Sequence, residues 1–264
     1  TGVQTCALPI LNELQSYPKF TPTSLIGHKK ARKLEPHINF KGNENIIFSK
    51  ADGAIDPKDA ISKMIEAIKK NDGSVLYPCK FERIIESNDS FSKVKTSMGI
   101  LKSENVIFCN GVDVDNSFNV NFLKKPRPGV IIKTKPQKNL INSVVYGPKI
   151  HAHQQSNGQI IIGEQITAPI KKNTKDHIKR INKHFKSMVK GGTDLNPSEV
   201  LIGWRPIPKD DLPIIGKFKN KSVYIAVMHS GISLAAIVGN LVTQEIVDEV
   251  DSLLLKDFRP SRFF

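Results

Sequence analysis

The chain has 264 residues, of which 39% are hydrophobic, and a formal net charge of +14 at pH 7. A chain of this length can bury the core of one large domain or of two modest ones. Its apolar runs are far shorter than the roughly 20 residues that cross a bilayer, and no charged-then-apolar leader opens it. We therefore expect a cytoplasmic protein without a membrane span.

The positive charge suggests nucleic acid as one possible partner. The lysines, however, are spread along the chain, and aromatic residues do not alternate with them as a base-stacking surface requires. Solvated lysine side chains explain the charge better, and nucleic-acid binding is kept as the weaker alternative. Cys6, Cys79 and Cys109 form no CxxC pair, so we expect a reducing compartment, no disulfide framework and no zinc site.

The first ten residues, TGVQTCALPI, do not fit the sequence that follows. The stretch QTCALPI resembles the translation of a sequencing adapter. We expect 1–10 to be an artefact, exclude it from the fold prediction, and expect an upstream segment to precede Leu11.

The clearest element is a helix after Asp56. Asp56 can cap it, Pro57 suits its first turn and Gly73 suits the position after its end. Between these residues, Ala60, Ile61, Met64, Ile65 and Ile68 recur at helical spacing and predict about four turns. A shorter polar helix is predicted within 26–36.

Strands are predicted at 74–77, 81–85, 92–97 and 105–109. The last is an apolar run that ends near Gly111, which is typical of a strand buried on both faces of a parallel sheet. A helix followed by such strands is typical of an α/β nucleotide-binding layer.

Residues 116–203 have a different character. Extended stretches at 129–134, 143–146, 150–153 and 159–163 are joined by turn signals such as Ser156-Asn157-Gly158. A helix with Ile178, Ile181, Phe185 and Met188 on one face follows. This pattern predicts an antiparallel sheet with an attached helix, hence a second domain.

Two histidines, His151 and His153, alternate on one of these strands and share a face. They could form half of a metal site, but no third ligand is evident. We expect them to be ordinary strand residues and predict no metal.

The C-terminal part predicts a buried strand over 223–228, a turn with the sequence His-Ser-Gly, and a helix through Val250. In this helix, apolar residues recur at helical spacing: Ile237, Leu241, Val242, Ile246 and Val247. Gly231 lets the backbone approach a ligand closely, and the helix N-terminus offers free N–H groups. Such a turn suits a flavin pyrimidine ring or a phosphate. Many α/β proteins have the same turn for geometry alone.

The segment Gly203–Gly216, GWRPIPKDDLPIIG, carries Arg205 beside Trp204. A planar guanidinium can bind a carboxylate through two parallel hydrogen bonds. A solvent-facing arginine stacked on Trp204 is an equally valid interpretation of this segment alone.

Several motifs occur together in one order: LEP at Leu34–Pro36, DGAIDP at Asp52–Pro57, VIFCNG, NGQIIIGE, WRPIPKDDLPIIG, HSGISLA and RPSRF. In this order the chain resembles the D-amino-acid oxidase, glycine oxidase and sarcosine oxidase family of FAD enzymes over most of Leu34–Phe264. The resemblance implies a fold of class α/β plus α+β. A discontinuous Rossmann-like FAD-binding domain, its first βαβ unit missing, accompanies an antiparallel-sheet substrate domain.

The implied domain ranges are 11–50 as a connecting part beside the substrate domain, 51–115 as the middle segment of the FAD domain, 116–206 as the substrate domain, and 207–264 as the C-terminal FAD segment. The implied site residues follow from the same motifs. The backbone of Gly231, Ile232 and Ser233 would donate to the flavin pyrimidine edge, and His229 would adjoin the ring. The backbone at Phe81 would meet the adenine, Gly111 would lie near the dinucleotide, and Arg205 would bind the substrate carboxylate.

Three departures qualify the resemblance. The chain contains no GxGxxG motif, which we attribute to truncation. Asn110 replaces the small residue that the family has before the glycine. No cysteine lies near Trp204 and Arg205, so FAD is expected to be bound non-covalently.

The implied activity is oxidation of an amine or amino acid. A hydride passes from the α-carbon to flavin N5, the imine is hydrolysed, and the reduced flavin is reoxidised by oxygen or another acceptor. This scheme requires no catalytic side-chain base, and we expect the fragment alone to be inactive. The alternatives are a dehydrogenase of the same fold that uses a quinone or protein acceptor, and a non-enzymatic nucleic-acid-binding protein.

Overall fold

A computed structural model of the protein describes residues 23–164, 174–192 and 195–264. The predicted artefact at 1–10, with Cys6, lies outside these residues. The helices are α1 (His28–Leu34), α2 (Pro57–Lys70), α3 (Val114–Phe118), α4 (Thr174–Met188) and α5 (Ala235–Val247). Short 3-10 helices cover Gly111–Asp113, Leu253–Phe258 and Pro260–Phe263.

The strands are β1 (Thr23–Ile26), β2 (Ile46–Ser49), β3 (Phe81–Ser87), β4 (Ser92–Thr96), β5 (Gly99–Ser103), β6 (Val106–Phe108), β7 (Arg127–Thr134), β8 (Val145–Tyr146), β9 (Ile150–Gln154), β10 (Ile160–Glu164), β11 (Pro197–Arg205), β12 (Ile214–Phe218) and β13 (Asn220–Val227).

The chain divides into two compact units. The first contains residues 1–55 and 128–203, and the second contains 56–127 and 204–264. Each unit is assembled from two separate stretches of chain. The structure is of the mixed α/β class and contains antiparallel sheets. This is the fold class that the sequence predicts.

The first unit is built on a five-stranded sheet in the order β11-β7-β10-β9-β8. Alternate residues of β7, such as Val130 and Ile132, are buried and pack with Ile181 and Phe185 of α4 in one hydrophobic core. β10 pairs antiparallel with both β7 and β9. This is the sheet with an attached helix that the alternating pattern predicts.

The second unit contains a sheet in the order β12-β13-β6, in which β13 is antiparallel to β12 and parallel to β6. One face packs Val223, Ile225 and Val227 into a core with several phenylalanines. The other face packs Tyr224 against α5. β13 is therefore buried on both faces, as its continuous apolar sequence predicts. A second sheet, β3-β4-β5, completes the unit.

Helix α2 confirms the predicted cap at Asp56, whose side chain accepts hydrogen bonds from the N–H groups of Lys58 and Asp59. Its C-terminus differs from the prediction in one detail. Asp72, with φ of 60°, takes the left-handed position, while the N–H of Gly73 donates to the carbonyl of Ile68 at 2.9 Å. Gly73 is required for space, because a Cβ there would overlap Ile68.

Other predicted boundaries were wrong. Residues 74–77 form no strand, since they lie between the end of α2 and Pro78, which cannot donate to a ladder. β5 was not predicted, although Gly99, with φ of 124°, permits the hairpin from β4. α5 ends at Val247 instead of Val250.

Three apolar residues are exposed where neighbours in the same elements are buried. Ile237 and Val247 on α5 are exposed by 49% and 71%, since the described residues cover only the sheet-facing side of the helix. Ile107 is 45% exposed, because β6 is an edge strand. The prediction that the 105–109 strand is buried on both faces was therefore wrong in this respect.

Candidate functional site

The candidate site lies at the carboxyl ends of two parallel strands in the second unit. Ile107 of β6 pairs with Tyr224 of β13, and Phe108 pairs with Ile225. Because the strands are parallel, the loops that follow them leave the sheet at the same edge. One loop contains Gly111 and the other Gly231. In open α/β sheets, ligands bind outside this edge.

The loop after β13 presents free backbone donors. The N–H of Leu234 donates to the carbonyl of Ser230 at 3.0 Å. The N–H groups of Gly231, Ile232 and Ser233 make no hydrogen bond with another residue of the described ranges, and all three residues are exposed. A Cβ at Gly231 would meet only the Met228 carbonyl, at 3.8 Å. The turn is open to a ligand with electron-rich acceptor atoms.

The loop after β6 presents a buried acceptor. Gly111 has φ of 57°, and Pro206 Cγ would lie 3.8 Å from a Cβ placed on it. The side-chain Oδ1 of Asn110 is buried and has no hydrogen-bond partner in the part of the chain that the structure describes. Donors on one loop and an unpaired acceptor on the other fit a nucleotide cofactor such as FAD, which carries both acceptors and hydroxyl donors.

Phe81 begins β3, and its ring packs edge-on against Phe108 with centroids 5.0 Å apart. Phe81 therefore adjoins the strand that leads into Gly111. A contact between its backbone and an adenine stays a prediction.

Arg205 ends β11 and is partly buried. Its guanidinium makes no ion pair, side-chain hydrogen bond or ring contact with any residue in the described ranges. Three other arginines are all paired: Arg180 with Glu164, Arg259 with Glu245, and Arg262 with Asp210. The cation of Arg205 is thus available to an anionic ligand, and Pro206, the next residue, is the neighbour of Gly111.

The segment after Arg205 is held in place at several points. The N–H of Lys124 donates to the Ile207 carbonyl at 2.8 Å, and that of Lys209 to the Phe122 carbonyl at 2.9 Å. Arg262 donates to Asp210 at 2.5 and 3.0 Å, and this pairing lowers the pKa of the Asp210 carboxyl. Such contacts fix the backbone that carries Arg205.

His229 is exposed on the turn after β13, with its Nδ1 3.5 Å from the Ser230 hydroxyl. His151 belongs to the first unit, where its ring stacks on Tyr146 at 5.2 Å and covers Gly163, at which a Cβ would overlap it. Among the described residues, no three His, Cys, Asp or Glu side chains are grouped to hold a metal ion. Cys79 and Cys109 are free thiols.

Sequence patterns missed two features of the second unit. The unpaired acceptor of Asn110 was signalled only by the unusual residue before the glycine. Glu245, 1% exposed, is a buried carboxylate that accepts hydrogen bonds from Tyr224 and Arg259. Burial and the hydrogen bond to Glu245 raise the pKa of the Tyr224 hydroxyl. Burial opposes ionisation of Glu245, but the hydrogen bonds outweigh it and its pKa is lowered.

No helix in the described ranges has both the length and the apolar character needed to span a bilayer.

A family profile described as FAD dependent oxidoreductase (DAO) matches residues 7–245. Comparison with curated protein sequences gave no match. Among solved structures, L-proline dehydrogenase from P. horikoshii is similar with a TM-score of 0.84 and 22% identity, over 99% of this chain and 73% of that one. Glycine oxidase from Geobacillus kaustophilus is similar with a TM-score of 0.83 and 16% identity, over 98% of this chain and 72% of that one. The L-alpha-glycerophosphate oxidase from Mycoplasma pneumoniae with FAD bound is similar with a TM-score of 0.75 and 20% identity, over 93% of this chain and 70% of that one.

Proposed function

The chain belongs to the family of FAD dependent oxidoreductases, whose profile matches residues 7–245, and we propose that it oxidises an amine or amino acid that carries a carboxylate. Similarity to a glycine oxidase and to an L-proline dehydrogenase supports a substrate with a CH–NH group. The observation that carries the proposal is the guanidinium of Arg205, which is without a partner among the described residues and belongs to the residue before Pro206, the neighbour of Gly111.

Arg205 would orient the substrate. A partly buried guanidinium without a protein carboxylate is costly to desolvate unless a ligand neutralises it. A substrate carboxylate matches its planar array of donors through two parallel hydrogen bonds. These bonds fix both position and rotation, so the carbon that bears the amine is held in one orientation.

The second unit would hold the cofactor. Bound FAD supplies the hydride acceptor for the oxidation of the carbon next to nitrogen. The N–H groups of Gly231, Ile232 and Ser233 would donate to its pyrimidine edge, and the N-terminus of α5 would favour negative charge there. Gly111 would allow close approach of the dinucleotide, His229 would adjoin the ring, and the backbone of Phe81 would meet the adenine.

We assign no side chain as a catalytic base. An amine that binds neutral can lose a hydride from its α-carbon while its nitrogen lone pair forms the C=N bond of a protonated imine, and water then hydrolyses this product. The protein's contribution to this scheme is orientation by Arg205 and stabilisation of charge by the loop at Gly231.

The functional domain ranges complete the proposal. FAD would bind, non-covalently, to 51–115 and 207–264, and substrate contacts would come from 116–206, with 11–50 beside them. The electron acceptor would be oxygen, or a quinone or protein carrier. Oxygen uptake compared with dye reduction, at the same substrate concentration, distinguishes an oxidase from a dehydrogenase.

Substitution of Arg205 tests the proposal. Loss of a charge-assisted bidentate bond weakens substrate binding by about 10- to 100-fold, so Arg205→Gln should raise KM for an amino acid by that factor. KM for the matching amine without a carboxylate should change by less than about 3-fold. Arg83→Gln, an exposed position on β3, is the control and should change neither. Equal effects of Arg205→Gln on both substrates would contradict the assignment.

A further inference from the structure

The side chain of Asn110 has only one of its two ends satisfied. It lies in the loop that follows β6, directly before Gly111. Its Nδ2 donates to the hydroxyl of Ser117 at 2.8 Å. Its Oδ1 is buried and has no partner among the described residues.

The orientation of this amide is fixed by its neighbour. The Ser117 hydroxyl donates its only proton to the carbonyl of Asp113 at 2.9 Å. It can therefore only accept from Asn110, and a flipped amide would place two acceptors against each other. The Nδ2 group must face Ser117, so Oδ1 must face away from it.

A buried amide oxygen without a donor is unfavourable, because it has lost its hydrogen bonds to water. The amide is not needed to cap the turn, since the short helix Gly111–Asp113 begins without a hydrogen bond from the Asn110 side chain. The free acceptor is thus explained neither by local backbone structure nor by a side chain of the described ranges. It points to a donor that comes from a ligand.

The nature of that donor follows from the chemistry of the proposed cofactor. Phosphate oxygens and ring carbonyls are acceptors and cannot satisfy Oδ1. The proposed function places the pyrimidine N–H at the Gly231 loop and the adenine near Phe81. The donors that remain between these ends are the hydroxyl groups of the ribityl chain and the ribose.

We propose that Asn110 Oδ1 accepts a hydrogen bond from a hydroxyl group of bound FAD, an inference that rests on the proposed function. The asparagine then serves as a cofactor-positioning residue. The residue that departs from the family pattern supplies a contact that a small apolar residue could not make.

FAD titration of the full-length apoprotein, followed by flavin fluorescence, tests this inference. Asn110→Ala should weaken the Kd for FAD by about 3- to 10-fold, the range expected for one net hydrogen bond. Asn110→Leu keeps the side-chain volume without the acceptor and should weaken it similarly. Ser117→Ala removes the acceptor that orients the amide and should weaken the Kd by no more than the Asn110 variants do. Ser103→Ala is the control, because it removes an exposed hydroxyl of β5 and should leave the Kd within about 2-fold.

The outcomes separate the two claims. A wild-type protein that binds FAD, with Kd unchanged in both Asn110 variants, would overturn the role of Asn110 and leave the proposed function standing. An equal loss of affinity in Ser103→Ala would also overturn it, because the effect would then not come from the acceptor of Asn110. A wild-type protein that binds no FAD would overturn both.

Discussion

The residue that most clearly stabilises the second unit is the buried carboxylate of Glu245. Tyr224 donates to it at 2.5 Å, Arg259 donates to both of its oxygens, and the N–H of Ser252 donates at 2.6 Å. A carboxylate with several donors tolerates burial, whereas one that loses its cation does not. This explains Arg259, the first arginine of the C-terminal RPSRF sequence. The resemblance alone identified that sequence only as a signature of the family.

Arg259→Met should therefore lower the free energy of unfolding by about 3–5 kcal/mol, since it leaves a buried charge unpaired. Lys217→Met is the matched control. It breaks an exposed ion pair with Asp251, at 3.1 Å, and should cost about 0–1 kcal/mol. Urea denaturation of both variants measures the difference. Similar values for the two would show that the Glu245 cluster is not a buried pair of this kind.

Motifs predicted the chemistry at Arg205 and Gly231 because a guanidinium and a glycine before a helix each have a small set of functions. They did not predict that Arg259 and Arg262 have a partner while Arg205 has none in the described part of the chain. That difference depends on which carboxylates the fold brings near each arginine. The departure from the family pattern singled out Asn110, but not its Oδ1 without a partner among the described residues, because that results from the orientation that Ser117 imposes.

Among the elements, helix α2 was predicted most completely. Its first turn is determined by Asp56 and Pro57, and its end by hydrogen bonds from Asp72 and Gly73 to the last carbonyls. All of these interactions are local in sequence. A local pattern can therefore predict the helix.

Asp56→Ala should lower the free energy of unfolding by about 1 kcal/mol, because it removes the acceptor for the N–H groups of Lys58 and Asp59. Lys63→Ala, which breaks the exposed pair with Asp59 on the same helix, should cost no more than about 0.5 kcal/mol. Urea denaturation again provides the measurement. A loss at Asp56 no greater than that at Lys63 would contradict the capping role.

The bounds of some strands were predicted well, whereas another predicted strand does not form. β7, β9 and β10 were predicted close to their observed bounds, because one face is buried and their residues alternate. Residues 74–77 have the same apolar character but no partner strand. Extended apolar sequence predicts a strand only where a neighbour exists, and the neighbour is not local information.

For the whole molecule, the arrangement that creates the site is non-local. β6 and β13 pair in parallel although more than a hundred residues separate them, and this pairing brings the Gly111 and Gly231 loops to one edge. Hydrophobic patterns predicted both strands but not their pairing. The resemblance to the FAD enzymes implied one domain built from both segments without saying which strands pair, and the family profile confirms the family.

The assignment of FAD and substrate binding to particular ranges remains a prediction, although the chain divides into two discontinuous units. That assignment does not alter the contacts that form the candidate site.

We propose that the protein holds FAD at the carboxyl edge of β6 and β13 and reduces it with an amine that bears a carboxylate. Anaerobic addition of amino acids to the full-length protein loaded with FAD, followed by flavin absorbance, tests it most directly. We expect bleaching by at least one amino acid, and much slower bleaching at the same concentration in Arg205→Gln. A protein that holds FAD but is bleached by no amine or amino acid would contradict the proposed function.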